Sequence, residues 1–175
     1  MKENVLILIR YFICVPLVLC SLISFVAAEP PMRLQTQSVI SLGLARQAAE
    51  AALKQCKSDG YKVSVAVVGP AGVLKVLLRA DGAGPHTIDS SKKKAYTAAS
   101  MRRATSFFSD LIEKKPDLAG LRDMNKDILI LGGGLPIVIA GEIAGGIGVG
   151  GAPGSHLDEA CAQAGLRQIG ADSKK

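Results

Sequence analysis

The chain has 175 residues, with 21 Lys and Arg against 15 Asp and Glu, a net charge of +6, no Trp and 4% aromatic residues. That length suits one domain with a full core, which must be packed from aliphatic side chains and alanine. The basic excess is modest, and no arginine-rich tract interleaves with aromatics, which argues against nucleic-acid binding and leaves attraction to a small anionic ligand.

Lys2 and Arg10 flank a basic start, the run Tyr11 to Val26 is apolar and uncharged, and Val26-Ala27-Ala28 puts small residues where a signal peptidase reads. The run falls short of the roughly 20 residues that a spanning helix needs. The bulky Leu19 before Cys20 argues against a lipoprotein site. Residues 1–28 are therefore expected to be a signal peptide cleaved near Ala28, giving a secreted or periplasmic product. Residues 29–37 then read as a flexible lead-in, 38–170 as one domain and 171–175 as a tail.

From Ser38, apolar residues recur at Val39, Leu42, Ala45, Ala49, Ala52, Leu53 and Cys56, one stripe of a helix that Asp59-Gly60 ends. Two short apolar runs follow, Val63–Val68 and Val73–Leu78, joined by Gly69-Pro70-Ala71-Gly72, whose residues suit a tight hairpin turn. Asp81-Gly82-Ala83-Gly84-Pro85 breaks the second strand. Asp89-Ser90-Ser91 offers N-cap oxygens for a helix carrying Lys92-Lys93-Lys94-Ala95-Tyr96-Thr97 to about Met101. A break at Arg102–Thr105 leads to a short helix that Pro116 stops, then to a polar loop from Asp117 to Lys126. Strands are predicted at 127–131, 135–140 and 143–149, and a last helix at 155–166, with Asp158 and Glu159 suiting its dipole.

The predicted order is α-β-β-α-α-β-β-β-α. Strands joined by short glycine turns must be antiparallel. The expectation is an α+β fold, with an antiparallel sheet of about five strands and flanking helices.

Individual residues narrow the chemistry. Gly146-Ile147-Gly148-Val149-Gly150-Gly151 fits G-x-G-x-x-G literally, but Ala152-Pro153-Gly154 delays the helix and no further strand follows. These glycines instead let a strand pass close to another backbone or to a subunit neighbour. Cys56 and Cys161 lie in no C-x-x-C motif or Cys/His cluster, which argues against zinc. Sequence cannot place their Cα atoms within bridging distance, and two buried thiols are expected. His156 with Glu159 makes at most half a metal site. His86, in the Gly-Pro loop, is a candidate general base. Ser90, Ser155 and Cys161 have no assignable base, which argues against a hydrolase. Ala95, Ala98, Ala99, Phe107 and Phe108 offer apolar surface and Lys93, Lys94, Arg102 and Arg103 offer cations, which on residues alone read as a solvated basic helix face backed by ordinary core.

Several spaced segments carry a resemblance to a known family. Arg79, Asp81, Gly82 and Ala83, then Lys94, Ala95, Thr97, Ala98 and Ala99, follow R-x-D-G-A and K-A-x-T-A-A. Gly132–Ile137, Gly146–Gly151 and Asp158-Glu159 continue the pattern in order. The chain from about Gln37 to Gly170 resembles the GlcG/HbpS-type haem-binding family, related to the C-terminal domain of PduO proteins. Two departures stand out: Val68-Gly69-Pro70 replaces the family's V-D before the turn, and Gly150 replaces its serine in G-V-S-G.

The resemblance implies a profilin-like arrangement and haem or a related tetrapyrrole as ligand. Arg79, Asp81, Lys94 and Thr97 are carried over as matching positions, with Thr97 a candidate oxygen ligand to iron. His86, as a candidate axial haem ligand, and Arg102 join them as candidate ligand contacts. Alternative readings are an enzyme acting on a small carboxylate or corrinoid-related substrate, and a structural partner of a membrane sensor. A homo-oligomer is expected, because glycine-rich strands and alanine-faced helices suit close subunit packing.

Overall fold

The computed structural model describes residues 36–173. The signal peptide read at residues 1–28 lies outside them, as does most of the lead-in. Among the described residues, no helix is long and apolar enough to cross a membrane.

Helix α1 (Leu42–Ser58) is capped by Ser41, whose hydroxyl accepts from the Leu44 amide. Its buried residues are Ala45, Ala48, Ala49, Ala52 and Cys56. The predicted stripe therefore holds from Ala45 onward, while Val39 and Leu42 are exposed. The hairpin consists of β1 (Ser64–Val68) and β2 (Leu74–Arg79). Helix α2 (His86–Met101) begins earlier than predicted, so His86 is its first residue and Asp89-Ser90-Ser91 lie inside it rather than capping it. Arg102 ends it at φ 58°, in the left-handed region. Helix α3 (Thr105–Lys114) follows, then a 3-10 helix over Pro116–Asp123 where the sequence predicts a loop. Strands β3 (Gly134–Ile139) and β4 (Glu142–Gly150) precede α4 (Ser155–Gln168).

The four strands form one antiparallel sheet in the order β2-β1-β4-β3. The fifth strand predicted at 127–131 is absent. That segment is held by its own turns, Ile128 N to Asn125 O and Leu131 N to Leu129 O, and by the Thr97 hydroxyl, which accepts from Leu129 N. Its apolar residues serve a satellite cluster instead, where Ile130 packs with Phe108 and Ile112.

Alternation along the strands sorts the two faces of the sheet. Val65, Val67, Leu135, Ile137, Ile147 and Val149 pack with α1 and α4 in the main core. On the opposite face Ala66 and Val68 meet Ala95 and Ala99 of α2. There β4 presents Gly146, Gly148 and Gly150, and a Cβ on Gly148 would overlap the Ser91 carbonyl. The G-x-G-x-G run thus lets the α2 backbone lie directly on the sheet, so the expected close backbone approach is made within the chain.

The two cysteines are not free thiols. Cys56 and Cys161 form a disulfide, with Cα atoms 5.5 Å apart. Both lie on the facing stripes of α1 and α4 in the main core, a proximity that only the packing of those helices creates. At the far edge, Asp172 makes an isolated antiparallel bridge with Val138 of β3.

Candidate ligand-binding site

Helix α2 covers β4, β1 and β3 far more than it covers β2. The α2-facing side of β2 is consequently left as one wall of a groove. A register shift between Val67 and Val68 pairs Val68 with Leu74, while Ala66 pairs with Leu77 and Ser64 with Arg79. Directly paired residues of antiparallel strands share a face, so Leu74, Leu77 and Arg79 all lie on the α2 side. The other wall is the α2 stripe at positions 86, 89, 93 and 96, which helical periodicity lines up.

Within this groove a cleft of about 280 Å³ is lined by Val68, Gly72, Leu74, Asp89, Lys92, Lys93, Tyr96 and Asp127. Its shape rests on two local devices. Gly72 has φ +76°, and a Cβ there would lie 2.5 Å from Tyr96 Cδ2. Only glycine therefore lets the hairpin turn seat the tyrosine ring. Asp127 is fixed by an Asx turn, its amide donating to Asn125 Oδ1 at 2.8 Å. Two residues on, the Leu129 amide donates to Thr97 Oγ1 at 2.8 Å. Lys92 and Lys93 have no ion-pair partner among the described residues, and the Tyr96 hydroxyl has no hydrogen-bond partner there.

The residues singled out from sequence do not converge on this cleft. Thr97 is fully buried and its hydroxyl is engaged twice, donating to Lys93 O at 2.8 Å and accepting from Leu129. It ties the helix to the 125–129 segment, which leaves it no room to act as an iron ligand. Lys94 is also buried. Its ammonium donates to Asp158 Oδ2 at 2.8 Å and to Val149 O at 3.0 Å, while Asp158 Oδ1 accepts from the Ala152 amide at 3.0 Å. That charge is used inside the fold, where it pins α2 to the end of β4 and the start of α4. Asp158 is therefore an ion-pair partner and not only the dipole-matching residue read from sequence.

Arg79 donates from Nε at 3.1 Å, and from Nη2, to the Ala83 carbonyl, closing the loop after β2. Asp81 is exposed within that loop. His86 is exposed, with its imidazole against Gly84, one helical turn before Asp89 and outside the cleft lining. Arg102 is exposed at the opposite end of α2, about 24 Å from His86 at 1.5 Å per residue, so the two cannot hold one small ligand. Phe107 and Phe108 do not line the cleft. Phe108 is buried with Ile112, and Arg103 lies 4.5 Å over the Phe107 ring.

Sequence reading missed Tyr96, Asp127 and the hairpin tip. The available signal was the 89-93-96 spacing on a helix beside a Gly-Pro turn. Lys94 could likewise have been read as buried, since it falls on the stripe of Thr87, Ser91 and Ala98.

A second cleft, about 430 Å³, is lined by Ser106, Asp110, Ser155, His156, Glu159, Ala160 and Gln163. Six of its seven lining residues carry polar side chains. No group of three or more His, Cys, Asp or Glu among the described residues is arranged to hold a metal ion.

Known proteins share this chain's sequence pattern and fold. A family model described as haem degrading protein HbpS-like matches residues 40–167. The crystal structure of a double mutant of Streptomyces reticuli HbpS is 40% identical with a TM-score of 0.71, covering 81% of this chain and 97% of that one. Protein GlcG of Escherichia coli (strain K12) is 29% identical over 116 residues, 66% of this chain and 84% of its own. The crystal structure of a PduOC:heme complex is 26% identical with a TM-score of 0.72, covering 78% of this chain and 99% of that one.

Proposed function

The chain belongs to the HbpS-like family, and from that premise we propose that it binds haem or a related tetrapyrrole in the groove between β2 and α2. The observation that carries this reading is the pairing of an apolar floor, Val68 and Leu74, with two ammonium groups outside any ion pair, Lys92 and Lys93, in a lining that also holds Asp89 and Asp127. A flat apolar macrocycle bearing two carboxylates needs that combination of surfaces. The residues present fit such a group in part. The cleft, about 280 Å³, lies just below the range of about 300–1,000 Å³ usual for small-molecule sites, and half-buried Leu77 would extend the apolar floor that Val68 and Leu74 make. The PduOC neighbour, crystallised with haem, supports the ligand class. Bound haem supplies a redox-active iron. The chain's own residues orient it, the lysines by holding carboxylates and the leucines by covering a face.

Export forms the second part of the proposal. Residues 1–28 read as a cleaved signal, and the Cys56–Cys161 disulfide supports folding in an oxidising compartment. Mass measurement of protein recovered outside the cytoplasm should give a chain that begins at Glu29; recovery of the uncleaved chain from the cytoplasm alone would overturn this part.

Haemin titration followed at the Soret band tests the binding site. Saturable binding is expected, weakened at least tenfold by Lys92→Ala with Lys93→Ala and unchanged by His156→Ala in the polar cleft. An unshifted band that does not saturate would refute haem binding. A selective effect of His156→Ala would move the site.

A further inference from the structure

We propose that the outer edge of β2 docks a second copy of this chain, joining the two sheets antiparallel about a twofold axis at Leu78. The two edges of the sheet are finished differently. Strand β3 carries Pro136, which has no amide to offer, and its Val138 exchanges both backbone hydrogen bonds with Asp172. Strand β2 has only β1 beside it, and no described residue pairs with its outer side. The Ala80 amide donates to the Val63 carbonyl, so Val76, Leu78 and Ala80 turn their backbone groups toward β1. By alternation, Leu77 and Arg79 turn theirs outward. Val73 and Leu74, at the start of the strand, are among the exposed large hydrophobic residues. Helix α2 stands inboard over β4, β1 and β3, which leaves room for a further strand on that face.

Backbone direction and charge together choose the register. Residues that bond across an antiparallel pair must both turn outward, so the axis passes through a residue rather than between two. An axis at Leu77 sets Lys75 against Arg79, and an axis at Arg79 or Lys75 sets that residue against itself. An axis at Leu78 pairs Leu77 with Arg79 and sets Lys75 against Asp81. Of the axes that fall within β2, it alone opposes unlike charges. Neither Lys75 nor Asp81 has an ion-pair partner among the described residues, and Asp81 is exposed. An edge lysine ordinarily discourages strand pairing; here Asp81 of the second copy answers it, twice over by symmetry. Directly paired residues share a face, so Leu77 of each copy lies beside Arg79 of the other on the α2 side. That covers a leucine which the single chain leaves half-buried.

The test is analytical ultracentrifugation of the purified protein over a range of concentrations, with charge variants and engineered cysteines beside it. Wild type should show a reversible monomer–dimer equilibrium. Lys75→Glu and Asp81→Lys should each weaken it roughly tenfold or more, since each sets like charges opposite one another at two places. The two substitutions together should recover most of that loss. Leu78→Cys puts two sulfurs across the axis, where Cα atoms of a non-hydrogen-bonded pair stand about 4.5 Å apart, and should give a dimer on a non-reducing gel. Leu77→Cys lies on the diagonal, about 7–8 Å from its mate, and should not. The native Cys56–Cys161 bond joins residues of one chain and leaves it a monomer on that gel. A monomer at every concentration, or a dimer indifferent to the charge variants, overturns the proposal. Loss in both single variants without recovery in the exchange overturns the Lys75–Asp81 pairing, and cross-linking through Leu77→Cys instead of Leu78→Cys overturns the register. Should Leu78→Cys fail to fold, the charge exchange decides by itself.

Discussion

At the scale of single residues, the buried Lys94–Asp158 pair carries the greatest structural cost if broken. Each ion satisfies the other and a backbone group besides: Lys94 donates to Val149 O and Asp158 accepts from Ala152 N. Removing one partner of a buried pair strands the other's charge, at about 3–5 kcal/mol. Lys94→Met should lose that much in urea denaturation. Adding Asp158→Leu should restore part of it, but not all, because the Ala152 amide then loses its acceptor. A loss below about 1 kcal/mol in the single variant would contradict this role. Thr97→Val is expected to cost about 1–3 kcal/mol, the penalty for leaving a buried polar group unsatisfied. Hydrogen exchange at Leu129 should quicken more than at the core strands. Uniform protection across both would show that Thr97 does not hold the segment.

At the scale of elements, the disulfide and the glycine strand make separable predictions. Cys56–Cys161 staples α1 to α4 across a sequence separation of 105 residues. A closed loop of that size stabilises by up to roughly 4.7 kcal/mol in the chain-entropy picture, with measured values spanning about 0–5. Reduction, or Cys56→Ser with Cys161→Ser, should lower the denaturation midpoint by the equivalent of about 2–5 kcal/mol. An unchanged midpoint would mean that the helices are held by packing alone. Gly148→Ala should destabilise by about 1–3 kcal/mol or more, since its methyl would meet the Ser91 carbonyl and lie 2.5 Å from the Ala95 amide nitrogen. Tolerance of the methyl at no cost would refute direct backbone packing of α2 on β4.

Much of this level could be read from the chain itself. The hairpin, the two glycine-separated strands and the last helix announce themselves through period and turn chemistry, and the G-x-G-x-G run does signal a close backbone approach. Other features depend on partners distant in sequence. Asp127–Leu131 has the composition of a strand, yet its amides are claimed by Asn125 and Thr97 and its side chains by Phe108 and Ile112. Asp158 has the position of a dipole-matching residue, and only the fold brings Lys94 to it. The cysteine pairing is likewise illegible in the chain, because the separation of two stripes on α1 and α4 is a tertiary quantity.

At the scale of the whole molecule, the sheet is covered unequally. One face is sealed by α1 and α4 over a large aliphatic core, whereas α2 alone serves the other and leaves the outer strand β2 partly bare. The candidate groove follows from that imbalance, and its lining combines what the family pattern could not supply: the hairpin tip, Tyr96 and the Asp127 loop. The matching positions Thr97 and Lys94 maintain the frame behind it. Family motifs here thus mark the architecture, and the lining of the candidate groove sits one residue or one turn away from them.

The central claim is where the ligand sits, and paramagnetic line broadening of backbone amide signals on addition of ferric haem measures that directly. Broadening is predicted along Leu74–Arg79, the Asp89–Tyr96 face of α2 and Asp127, with the Ser155–Gln163 stretch left sharp. Broadening centred on Ser155–Gln163, or spread without a focus over the surface, would contradict the account.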